Sequence, residues 1–150
     1  MKKYIIIDID GTIAQVAAER LKYLQQEHKD WDTFYKLCFK DAPIKDIVDL
    51  VQALIDSNKY QILFCTGRRD TVRDETIQWL DTHFKFLSEY TLLMRKSRDW
   101  RHDTAVKPEL LTKHGITPDD VSFILEDRDS MVKKWRELGY KCLQVADGDF

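Results

Sequence analysis

Two rhythms of apolar and polar residues alternate along the chain. Tyr4–Ile9 is an apolar run closing in acid, the pattern of a strand buried on both faces. Tyr60–Thr66 repeats it and stops at Gly67, and Thr91–Met94, Val121–Leu125 and Lys141–Val145 are shorter runs of the same kind. Between them the spacing turns helical. In Ile44–Ser57 the apolar positions Ile44, Ile47, Val48, Leu50, Val51 and Leu54 recur at the period of one helix face. Asp70 is placed to cap a helix reaching about Thr82, and Pro108 to sit in the first turn of another that ends before Gly115. Arg128–Leu138 precedes Gly139, a C-cap signal. Strands alternating with helices predict βαβ units and therefore an α/β fold with a mostly parallel five-stranded sheet flanked by helices.

One stretch interrupts the alternation. Residues 15–42 read as two short helices, about Ala17–Gln26 and Trp31–Phe39, broken near His28–Asp30. An insertion directly after the first strand lies over the carboxyl ends of the strands, where open α/β sheets bind ligands. A small helical cap over a site is the expectation.

Composition narrows the class. The chain has 150 residues, of which 43% are hydrophobic, enough for one domain with one core. Charged residues make up 33%, but the signs are mixed and the net charge is -2, so global charge gives no drive toward nucleic acid. Cys38, Cys65 and Cys142 are odd in number and widely separated, which argues against a disulfide framework or a zinc site and for buried reduced thiols. No apolar run approaches the ~18 residues of a membrane span, and the short N-terminal run lacks the form of a signal peptide. A soluble, cytoplasmic protein that contacts no membrane is expected.

The candidate chemistry sits where strands end. Asp8 and Asp10 leave the first strand at i and i+2, on one side of it, and Gly11 permits a sharp turn before Thr12. Two acids at the end of a buried strand need a counter-charge, because burying bare carboxylates is costly. A divalent cation supplies it. Thr66-Gly67-Arg68-Arg69 ends the second strand with a hydroxyl, backbone N–H groups and arginine, a combination suited to phosphate oxygens. Lys107 stands just before Pro108 at the expected helix start, and Ile124-Leu125-Glu126-Asp127-Arg128-Asp129 ends the fourth strand in acid.

Together these segments resemble the four motifs of the haloacid dehalogenase superfamily of phosphatases. The resemblance implies its Rossmann-like fold, with strands four and five on the far side of strand one. It implies that Asp8 is the nucleophile forming an aspartyl-phosphate and that Asp10 is the acid/base. Thr66, Gly67, Arg68 and Lys107 would bind phosphate. Magnesium would be held by Asp8, the backbone carbonyl of Asp10 and Asp127, with Glu126 as a further ligand, direct or through water. Asp129 reads as a helix cap.

A narrower resemblance covers nearly the whole chain and is weakest over 15–42. Leu93-Met94-Arg95 through Asp103, Val106-Lys107 and Trp135 to Phe150 are similar to the phosphatase domain of phage-type polynucleotide kinase/phosphatases. It implies removal of 3′-phosphates from DNA or RNA ends, with a 5′/3′-nucleotidase or other small-molecule phosphatase as the alternative. Arg95, Lys96, Arg98, Arg101, His102 and Lys107 form a basic stretch opposed only by Asp99 and Asp103. Arg95, Arg98 and Arg101 are candidate contacts to nucleic-acid phosphates. Trp100 reads first as a packing anchor and second as a base-stacking residue. All five glycines are isolated, so no ATP-binding GxxxxGK[ST] loop can be written and no kinase activity is expected of this chain.

Overall fold

The computed structural model describes all of residues 1–150. In chain order the elements are β1 (Tyr4–Ile7), β2 (Ala14–Gln15), α1 (Ala18–Leu21), α2 (Trp31–Lys36), β3 (Ala42–Pro43), α3 (Lys45–Asp56), β4 (Gln61–Arg69), α4 (Arg73–His83), β5 (Tyr90–Arg95), α5 (Asp103–Lys113), β6 (Val121–Glu126), α6 (Asp129–Glu137) and β7 (Cys142–Gln144).

β1 has no polar side chain before Asp8 because both of its faces are covered. Ile5 and Ile7 pack with Val48 and Val51 of α3 and Trp79 and Leu80 of α4, while Ile6 packs on the opposite face with Leu111 of α5 and Met131 and Trp135 of α6. The result is three layers, helices on both sides of one sheet. The sheet order is β5-β4-β1-β6-β7, and every pairing is parallel. The chain steps outward from β1 to β4 and β5, then crosses back to β6 and β7 on the other side. The order therefore reverses beside β1, and the carboxyl ends of β1 and β6 form the crevice where such sheets bind ligands. Register fixes who meets there. Ile7 is level with Phe64 of β4 and Leu125 of β6, which puts Asp8 beside Glu126.

The segment 15–42 leaves and returns through a two-stranded antiparallel ribbon, Ala14 opposite Pro43 and Gln15 opposite Ala42. Its helices are shorter than expected. α1 is a single turn, and α2 runs on into a 3-10 turn over Leu37–Lys40. Asp30 caps α2, its carboxylate accepting from the Thr33 backbone N–H at 3.1 Å.

Three expected boundaries are corrected. Asp70 opens a 3-10 turn, and α4 begins only at Arg73, because β4 continues to Arg69. α5 starts at Asp103, five residues ahead of Pro108. His102 caps it, Nδ1 accepting from the Thr104 backbone N–H at 3.2 Å, so Lys107 lies in the second turn and does not open the helix. Asp129 is the first residue of α6 and does not cap it. Its carboxylate accepts instead from the Gln144 side chain at 2.6 Å. Gly139 does follow α6, at φ +95°, where a side chain would be strained. All three cysteines are buried and free. No helix is long and apolar enough to cross a membrane.

Candidate active site

Four strand-end or helix segments converge at the switch point. The buried ammonium of Lys107 donates to Asp8 Oδ1 at 2.7 Å and to Glu126 Oε2 at 2.9 Å. The Thr12 hydroxyl donates to Asp8 Oδ2 at 2.8 Å and lies 3.3 Å from Asp127 Oδ1. Asp8, Glu126 and Asp127 are all buried, and each brings an oxygen within 4.8 Å of the others. Gly11 makes this approach possible. It adopts φ +85°, and a Cβ there would lie 2.1 Å from Asp127 Oδ2.

The charge count on this floor is unbalanced. Three buried carboxylates face one ammonium. Burial first, and then repulsion from Glu126, lifts Asp8 to about 7 despite the attraction of Lys107. Burial and the neighbouring Asp8 lift Asp127 to about 6. Burial works to lower Lys107, but Asp8 and Glu126 outweigh it and hold its pKa well above the ordinary lysine value. A hard divalent cation with oxygen ligands fits this donor set and would relieve the excess negative charge.

Asp10 faces a different environment. Pairing between β4 and β5 slips between Thr66 and Arg69, so Gly67 and Arg68 bulge out of the ladder. The bulge aims Arg68 sideways. Its Nε and Nη2 grip the Asp10 carboxylate at 3.0 and 2.7 Å, and its Nη1 donates to the Thr76 hydroxyl at 3.2 Å. Burial works to raise the Asp10 carboxyl, but Arg68, and then Arg20, hold it below the ordinary carboxylate range. Arg68, expected to bind phosphate, lines the cavity, and its fork holds the Asp10 carboxylate and so orients it. Thr66 is buried within β4, just before the bulge, its hydroxyl accepting from the Arg68 backbone N–H at 3.1 Å.

Two members of this network were not legible beforehand. Arg20 of α1 is wholly buried. It donates Nε to the Phe34 carbonyl at 2.8 Å and Nη1 to Asp41 at 2.5 Å, and it lies 3.6 Å from Asp10. Asp41 also accepts from the Ala17 backbone N–H at 3.1 Å and lies 3.4 Å from Arg68. Within Ala17–Gln26 Arg20 looks like any solvated helix cation, and no spacing marks it. Only closure of 15–42 over the sheet reveals it.

The remaining basic candidates divide. Arg95 is buried and fully engaged, donating to the Gly67 carbonyl at 2.9 Å, to the Asp99 and Arg101 carbonyls and to Asp103. Expected to contact substrate, it lines the cavity and in this structure braces the loop after β5. Arg101 is paired with Asp99 at 2.7 Å and Glu109 at 2.6 Å, at the rim of the cavity. Arg98 is exposed and, with Lys96, lines a shallow depression that adjoins the cavity at Asp99, Trp100 and Arg101. Asp103 closes under Gly67, where a Cβ would lie 2.4 Å from its Oδ1.

These groups open into one cavity of about 450 Å³. Asp8, Asp10, Thr66, Lys107, Glu126 and Asp127 form its floor, and Leu21, Leu24, Trp31, Phe34 and Tyr35 from the 15–42 insertion line another wall.

A parallel α/β sheet of this order, carrying these acids, a hydroxyl and a lysine at its switch point, defines a haloacid dehalogenase-like phosphatase. A haloacid dehalogenase-like hydrolase from Streptococcus pneumoniae shares the fold, with a TM-score of 0.63 and 16% identity over 95% of this chain and 84% of that one. Residues 2–150 match the polynucleotide kinase PNKP phosphatase domain, and the chain belongs to that family. A chain in a solved Pnkp1/Rnl/Hen1 RNA repair complex superposes with a TM-score of 0.81 and 26% identity, covering 100% of this chain and 44% of that one. A protein of Autographa californica nuclear polyhedrosis virus, described as a bifunctional polynucleotide kinase/RNA ligase, is 25% identical over 134 residues, which are 89% of this chain and 18% of that protein. The chain thus spans less than half the length of either of these two larger relatives.

Proposed function

We propose that this chain is a magnesium-dependent polynucleotide 3′-phosphatase working through Asp8. The observation that supports it most directly is the family match over residues 2–150, together with the gathering of Asp8, Asp10, Thr66, Lys107 and Asp127 around one cavity. Asp8 Oδ attacks phosphorus, the bond from phosphorus to the 3′-oxygen breaks, and the leaving oxygen takes a proton from Asp10. The aspartyl-phosphate is then opened by a water that gives its proton to Asp10, releasing phosphate and restoring Asp8. Lys107 neutralises charge on the nucleophile and on the transferring group.

Asp8, Asp127, Glu126 and the Asp10 carbonyl would hold the magnesium, which supplies charge neutralisation for an anionic nucleophile approaching an anionic phosphate. Arg68 and Arg20 favour the ionised form of Asp10, which suits activation of water. The incoming phosphate charge opposes that bias and favours the protonated form needed by the leaving oxygen. The insertion 15–42 acts as a small cap that leaves the cavity open to a chain end.

The test is turnover with and without magnesium on a 3′-phosphorylated oligonucleotide, a 5′-phosphorylated one and mononucleotides. The reading requires magnesium dependence and preference for the 3′-phosphorylated oligonucleotide. A tenfold or greater preference for mononucleotides would instead make this a nucleotidase.

A further inference from the structure

Trp100 is the largest apolar side chain left in water near the site, 70% exposed at the cavity rim, and the packing-anchor expectation for it is corrected. Its loop is not loose. Arg95 Nη1 donates to the carbonyls of Asp99, at 3.0 Å, and of Arg101, at 2.5 Å, the residues on either side of Trp100. The Arg101 side chain is in turn bound to Asp99 and Glu109. The backbone is therefore pinned on both flanks while the indole projects outward.

One face of the indole is backed by a cation. The Arg69 guanidinium lies 4.2 Å from the Trp100 ring centroid and 5.4 Å from that of Tyr35. Arg69 is itself held by Asp32 of α2 at 3.0 Å. Tyr35 stacks on Trp31 with centroids 5.9 Å apart and planes 26° from parallel. A buried arginine thus bridges the loop after β5 to the 15–42 insertion and fixes the orientation of the indole. Holding a large apolar ring in water on a preorganised mount is unfavourable for folding, and it is useful for binding a flat apolar surface.

We propose that the outer face of Trp100 is the stacking platform for the terminal base of the nucleic acid, the base on the sugar that carries the 3′-phosphate. The assignment rests on the polynucleotide 3′-phosphatase reading. Asp8 and Trp100 line the same cavity of about 450 Å³, a size suited to one nucleotide unit. A planar indole presents no hydrogen-bond pattern to a base, so the platform accepts all four bases and rejects ends that lack one.

The experiment compares kcat and KM on a short 3′-phosphorylated oligonucleotide and on the same chain with an abasic terminal residue. The wild-type chain should favour the base-bearing end, chiefly through KM. Trp100→Ala should reduce that preference by about 10- to 100-fold, equal to ~1.4–2.8 kcal/mol at 1.4 kcal/mol per factor of ten. Trp100→Phe should restore most of it. Equal wild-type activity on both ends overturns the platform while leaving the 3′-phosphatase reading intact. Equal losses on both ends in Trp100→Ala, unrepaired by Trp100→Phe, overturn it as a framework effect. No wild-type hydrolysis of either oligonucleotide sinks the 3′-phosphatase reading itself, and the platform with it.

Discussion

A divalent cation held on the acidic floor of the cavity should bind with an affinity that depends steeply on pH. Burial and then repulsion by Glu126 push Asp8 up to about 7, and burial and then Asp8 push Asp127 up to about 6. A cation ligated by both carboxylates must displace whatever protons they carry. Between pH 5 and pH 7, deprotonation of this mutually repelling pair should strengthen apparent binding by on the order of 10²-fold, with a plateau above about pH 8. The same displacement acts on the metal-free fold. A carboxyl raised from 3.8 to about 7 holds its proton more tightly when folded, so stability is lost as pH rises through that window. For Asp8 the loss by neutral pH approaches ~4 kcal/mol. Magnesium should therefore raise the melting temperature far more at pH 8 than at pH 5. Calorimetric titrations in two buffers of different ionisation enthalpy count the protons released. Magnesium affinity that changes less than threefold between pH 5 and pH 7, with no proton release, would refute this electrostatic account of the floor.

Two further outcomes follow from the geometry. Arg68→Met removes the cation that holds Asp10 below the ordinary carboxylate range, so the acidic limb of the pH–kcat profile should move to higher pH; an unmoved limb would show that Arg68 does not tune Asp10. Gly11→Ala forces a Cβ to within 2.1 Å of Asp127 Oδ2 at a φ of +85°. It should weaken magnesium binding by at least about tenfold and cost ~1–2 kcal/mol of stability in a denaturant melt, and wild-type affinity would contradict the assigned Asp127 position.

The parts legible in the sequence were those with a local signature. The run Tyr4–Ile7 could be read as a strand covered on both faces because Ile5 and Ile7 pack one way and Ile6 the other. Asp8 and Asp127 stand at strand ends and Thr66 beside the bulge at Gly67, where a single chain segment already shows what is unusual about them, and Lys107 was marked by the Pro108 that follows it. Arg68 was visible as an arginine, but its task depended on the bulge at Gly67, a pairing irregularity with no sequence mark. Arg20 and Asp41 are 21 residues apart and meet only when the ribbon of β2 and β3 closes. The start of α5 is masked in the sequence because Pro108 carries a stronger local signal than the His102 cap that governs it. The exposure of Trp100 has no sequence mark, because large apolar residues usually bury themselves and only the pinned loop shows this one held out.

Covalent catalysis requires that phosphate pass through Asp8. The direct measurement is a rapid acid quench of single turnovers on a 3′-phosphorylated oligonucleotide with magnesium, followed by mass analysis of the peptide containing Asp8. A transient phosphoryl group on Asp8 that hydroxylamine removes is expected, together with its loss in Asp8→Asn and a fall in kcat on the order of 10⁴-fold or more. Phosphate release at wild-type rates by Asp8→Asn, with no phosphorylated peptide at any time in the native protein, would contradict it.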